Sequence, residues 1–258
     1  MKLEIKKGVF FKSLNAIREN KKLLLYIVII DVLFLAALFV LGQVFNAISR
    51  IISMQQIYTL LLLAVFYYLA LLFIYSFFKY IVLSFLKSAF GKNKIDFNRI
   101  GKFYFLNIII FVILFLVFFL LSLLAASIKQ GIAPYASLLI LLLFSVFAYA
   151  FVNISHVFFS EGKGLAKSLQ LGAKYLGKFS KYYGVYLTIM FAFAIIVLLF
   201  GIFGNLLKIT LFQDYNSLLK YGDAYTIIFV HAFLIILYLA ILFNRYYFYN
   251  IAREKLLK

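Results

Sequence analysis

Cysteine is absent from this chain of 258 residues, which removes disulfides, thiolate metal sites and cysteine nucleophiles together and leaves redox compartment unread. Its two histidines, His156 and His231, cannot by themselves build a zinc site. There is one proline, Pro134, and no tryptophan. Acidic residues are scarce as well: 8 Asp and Glu stand against 26 Lys and Arg, for a formal net charge of +18. Paired intramembrane aspartates, a Ser with a partnering His and a His-Glu-x-x-His helix are all missing. The Gly162-Lys163-Gly164 turn lacks the strand and glycine spacing of a phosphate-cradling loop. Neither cofactor, metal nor catalytic residue is expected.

What the chain holds instead is apolar surface. Hydrophobic residues make up 67% and charged residues 13%, more apolar than a soluble domain of this length can cover with polar surface. Six nearly uncharged runs predict spans near 23–45, 57–79, 103–127, 136–159, 183–206 and 225–244. Each is long enough to cross the ~30 Å hydrocarbon core as a helix. The expected fold is all-α: a polytopic membrane protein whose single integral membrane domain covers 1–258, with six transmembrane helices paired as three hairpins. Residues 1–22 form a basic amphipathic segment, 161–181 an interfacial amphipathic connector, and 245–258 a tail. The first run is read as a retained span and not a secretory signal, because it reaches spanning length and no small-x-small cleavage site follows.

Orientation follows from the basic residues, which are retained on the cytoplasmic side during insertion. Only Arg50, Lys129, Lys208 and Lys220 fall on one side, and the other 22 of the 26 fall on the opposite side. Both termini are therefore expected in the cytoplasm, in a multi-pass protein of the cell membrane. The +18 charge would suggest nucleic acid in a soluble protein. Here the cations flank the spans, so the bilayer and its anionic headgroups are the expected partners and nucleic acid is not. A membrane or cytoplasmic protein partner is compatible with the same surface.

The connector carries the strongest amphipathic pattern. At 100° per residue Lys163, Lys167, Lys174, Lys178 and Lys181 share one arc, opposite Leu165, Leu169, Leu176 and Phe179. A helix of this kind lies in the interface with its lysines toward anionic headgroups, although Gly172 and Gly177 weaken it. Aromatic clusters at Phe77 to Tyr80, Phe103 to Phe105, Tyr182 to Tyr186 and Tyr246 to Tyr249 read as interfacial belts, with Tyr in the place Trp usually takes.

Asp31 is the one acid inside a predicted span. A carboxylate there costs ~2.5 kcal/mol or more, so it marks a candidate site by default. Counting inward along the other spans puts Tyr68, Tyr149 and Asn153 at comparable depth, with Asn107 and Thr188 as further donors, while Lys79 lies nearer the headgroups. Asp31 is expected to be protonated or held by Tyr and Asn donors, in a structural interhelical bond before a proton relay. His156 with Asn153 and Glu161 could make a small polar group at the inner mouth, but a His there is expected to be an anchor.

The stretch Phe158-Phe159-Ser160-Glu161-Gly162-Lys163-Gly164-Leu165-Ala166-Lys167-Ser168-Leu169 runs from an even-numbered span into a basic amphipathic helix. It resembles a feature of a broad group of six-span membrane proteins that includes the membrane domain of some glycerophosphoryl diester phosphodiesterases. That resemblance implies the hairpin architecture and no catalytic residues. The expected role is a non-enzymatic, lipid-associated or partner-binding membrane module. The alternative is a small transporter or permease with Asp31 as its coupling group, and the third is an intramembrane enzyme.

Overall fold

The computed structural model describes residues 9–52, 56–89, 96–128, 133–176, 195, 198–199, 201–204, 206, 210 and 215–256. Among these, every regular element is a helix: α1 (Val9–Glu19), α2 (Lys21–Ile51), α3 (Ile57–Ala89), a 3₁₀ turn (Phe97–Arg99), α4 (Ile100–Ala126), α5 (Ala133–Ser160), α6 (Leu165–Leu176) and α7 (Tyr215–Leu256). Five of these, α2 to α5 and α7, are long and apolar enough to cross a membrane. Most of the predicted span at 183–206 and residues 177–181 of the connector lie outside the described residues.

The chain divides into two compact units, Asn15–Leu176 and a second made of Met1–Leu14 with Gly177–Lys258. In the first, α3 packs against α2, α4 and α5 in turn, α4 packs against α5, and α6 folds back on α5. Protein covers at most 17% of the apolar stretch of any spanning helix. Helices so uncovered need a solvent as apolar as themselves, and the backbone is satisfied internally by the helix itself. Hydroxyls on these helices solve the same problem locally: Ser76, Ser84, Ser122 and Ser145 each donate to the carbonyl four residues earlier.

The helix ends are stitched by side chains. Asn20, between α1 and α2, donates from Nδ2 to the Ala16 carbonyl at 2.9 Å and to the Ala89 carbonyl at 3.5 Å, serving the last turns of α1 and α3. Asp96 starts the 3₁₀ turn by accepting from the Asn98 amide at 3.1 Å, and its carbonyl accepts from Tyr80 at 2.9 Å. Pro134 sits in the first turn of α5, where a missing N–H costs nothing. The other end of α5 closes with Gly162 at φ +97°, the Gly162 amide bonding Phe159 O and the Lys163 amide bonding Phe158 O. This Schellman closure uses the left-handed conformation that glycine alone adopts cheaply.

The α3 helix runs past the expected span border near 79 to Ala89, and its last turns find protein partners for Lys79 and Lys87. One expectation is corrected here. The aromatics Tyr80, Phe103 and Tyr246 to Tyr249 are buried in protein, not displayed as an interfacial belt. Residues 245–256 continue α7 without a break, so the expected tail begins as helix.

In the second unit Asn250 of α7 donates from Nδ2 to Ser13 Oγ at 3.1 Å, a buried polar pair that joins the two ends of the chain. Gly204 is buried against the Phe229 ring, which occupies the space a Cβ would need.

Candidate functional site

The buried part of the first unit is concentrated at one end, where α3 and α5 finish and α4 begins. A seam of polar side chains runs through it. Lys79 on α3 donates to Asn153 Oδ1 on α5 at 3.1 Å, and Asn153 Nδ2 donates to the Tyr149 carbonyl at 2.7 Å. One turn further, His156 is fully buried and its Nε2 lies 2.8 Å from Asn107 Oδ1 on α4. Asn107 uses its amide nitrogen on the Phe103 carbonyl at 3.0 Å, so its oxygen is the acceptor and His156 Nε2 carries the proton. That network leaves His156 Nδ1 as a lone-pair acceptor. Among the described residues it has no hydrogen-bond partner, and neither has the buried Ser155 Oγ. Aromatic rings close around the imidazole, with the Phe103 centroid at 4.7 Å and that of Tyr75 at 6.4 Å.

Cations frame the seam. Lys87 donates to the Ser160 carbonyl at 2.9 Å and stands 3.9 Å from Glu161. Arg99 donates to the Lys163 carbonyl at 3.1 Å while its guanidinium lies 4.4 Å over the Phe159 ring. Both meet the C-terminus of α5, whose unpaired carbonyls and helix dipole favour positive charge. Two cations from different helices thus hold the α5 end in place.

On the flank, α6 presses Ser168 and Gly172 inward and leaves Lys167 and Lys174 exposed, as is Lys163 in the preceding turn. A Cβ at Gly172 would collide with Ser155 Oγ and lie 3.4 Å from Phe151, so glycine sets how closely α6 approaches α5. Tyr175 stacks on Phe158 at 5.5 Å. Exposed Arg18, Lys21, Lys22 and Lys102 enlarge the basic rim of this unit. Lys178 and Lys181 lie outside the described residues.

Of the residues expected near Asp31's depth, the structure puts Asn153, the Tyr149 backbone and Asn107 in one seam, and adds Lys79 and His156 to it. Tyr68 is elsewhere. Ring pairs Tyr26 with Phe85, Phe34 with Phe78 and Phe45 with Tyr67 set the antiparallel register of α2 on α3, which puts Asp31 level with Ile81. Tyr68 is exposed beside Tyr67, ~20 Å along the helix axis from that level at 1.5 Å per residue. Lys79 stands within one turn of Asp31's height, where the charge-based span border had put it nearer the headgroups. The His156 to Asn107 bond also escaped the sequence, since α4 is apolar all round and offers no face to register. His231 bonds the Ile227 carbonyl within its own turn.

No protein-family model matches the chain, and no curated protein or solved structure matches it either.

Proposed function

We propose that this chain is a six-span protein of the cell membrane with both termini cytoplasmic, acting without catalysis as a lipid-associated module whose basic end binds anionic headgroups. The sixth crossing is supported by parity. Ser13 and Asn250 meet at 3.1 Å, which supports both ends of the chain lying on one face with an even number of crossings between them. Five long apolar helices are described, and the positions between 195 and 210 that are described are helical too, with Leu198, Leu199, Ile202 and Phe203 exposed. A hairpin of that span with α7 is supported by Gly204 against Phe229.

The observation that carries the lipid reading is α6, held closely on α5 at Gly172 with Lys163, Lys167 and Lys174 left to solvent beside the apolar helices. Each lysine near an anionic surface contributes about 1 kcal/mol, so three amount to about a hundredfold in affinity. The test compares retention of phosphatidylglycerol and phosphatidylcholine by the purified protein. Replacing the three lysines with glutamine is expected to remove the preference for phosphatidylglycerol and leave phosphatidylcholine unchanged. Equal retention of both lipids by the unaltered protein contradicts the reading.

A second reading, a small transporter, is favoured by the seam of Lys79, Asn153, His156 and Asn107 among apolar helices, since intramembrane ionisable groups mark ion or substrate paths. Asp31→Asn is expected to abolish uptake in that case, and unchanged uptake removes its support.

A further inference from the structure

Lys79 brings a positive charge to the interior of the first unit, and the contact with Asn153 supplies it with a neutral acceptor. A half-buried ammonium among apolar helices is favoured by an opposite charge within reach. The sequences of α2 to α5 contain a single acid, Asp31. The register of α2 on α3 puts it level with Ile81, so its Cα is within ~3 Å of the height of Lys79 at 1.5 Å rise per residue.

The faces agree with the heights. Asp31 follows Ile27 by one turn and precedes Phe34 by one turn, and both of these point inward: Ile27 is 1% exposed and Phe34 packs on Phe78 at 5.7 Å. Lys79 is next to Phe78, which faces α2, and its own head reaches α5. It therefore stands on the flank of α3 between α2 and α5. An ammonium has three donors, and Asn153 takes one.

We infer that Asp31 is the ionised counter-ion of Lys79, forming with Asn153 a charge-paired site that links α2, α3 and α5. It differs from the expectation that Asp31 is protonated or held by Tyr and Asn donors. The pair also explains how α2, which packs chiefly on α3, is tied to the polar seam. The pair goes beyond the headgroup reading and stands whether or not transport does.

Infrared spectroscopy of the full chain in a bilayer at neutral pH tests it. The unaltered protein is expected to lack a protonated-acid carbonyl band that Asp31→Asn removes. Lys79→Met is expected to create that band, because the carboxylate loses its partner and takes up a proton, and the double variant is expected to lose it again. An acid band sensitive to Asp31→Asn in the unaltered protein, or none in Lys79→Met, overturns the inference. Where Lys79→Met fails to fold, charge exchange decides: Asp31→Lys should lower the folded yield about tenfold or more, and adding Lys79→Asp should restore it. An exchange variant no better than Asp31→Lys overturns the inference equally.

Discussion

The two ends of the first unit are built differently from the same helices. At the basic end Tyr80, Phe103, Leu106, Ile154, His156 and Phe159 are buried and interlocked, and polar bonds cross from α3 and α4 to α5. At the far end Leu61, Leu62 and Phe66 of α3, Phe115 and Leu120 of α4, and Leu138 and Leu142 of α5 are all exposed. A soluble bundle would bury both ends. In hydrocarbon, apolar side chains gain nothing by leaving lipid for protein, so helices are held together where packing and hydrogen bonds make contact specific. The far end can splay in lipid while the basic end fixes the arrangement.

The contrast can be broken by substitutions whose cost depends on which end they touch. The largest effect is expected for Phe103→Ala, which empties a fully buried ring site between Tyr80, His156 and Phe159. Unfolding measured in a bilayer mimetic should show a loss of about 3 to 5 kcal/mol. Asn107→Leu comes next, since it leaves His156 Nε2–H buried without its acceptor, at about 1 to 3 kcal/mol by the same measurement. Lys87→Gln weakens the closure of the α5 end, and a partly exposed contact of this kind is expected to cost about 1 kcal/mol or less. Leu120→Ala at the far end should stay within about 0.5 kcal/mol. Comparable losses for Phe103→Ala and Leu120→Ala would mean that protein, not lipid, covers the far end.

These differences also mark what the sequence could tell. Uncharged runs located α2 to α5 and α7, because spanning length and the cost of charge in hydrocarbon are composition rules. The same rule says nothing of how far α3 continues past its span, since a run stops at the first charge, whereas Lys79 and Lys87 are accommodated by Asn153 and Ser160 on another helix. Asn153 and His156 stand out in the sequence as polar residues near the end of their span, yet their partners Lys79 and Asn107 depend on how the helices are registered. Helices that are apolar on every side carry no periodicity from which to read that register. Tyr68 shows the same dependence: its depth relative to Asp31 follows from helix register, and counting inward from span borders does not supply that.

Because the chain has no native cysteine, single introduced thiols report their surroundings without background. A membrane-impermeant maleimide applied to intact cells tests most directly the claim that lipid bathes the far end and the basic end faces the cytoplasm. Gln56→Cys and Ser127→Cys should be labelled from outside, Lys12→Cys, Lys102→Cys and Lys163→Cys only after permeabilisation, and Leu120→Cys and Leu142→Cys in neither case. Labelling of Lys102→Cys in intact cells, or of the Leu120 and Leu142 positions as readily as the loops, would contradict the account.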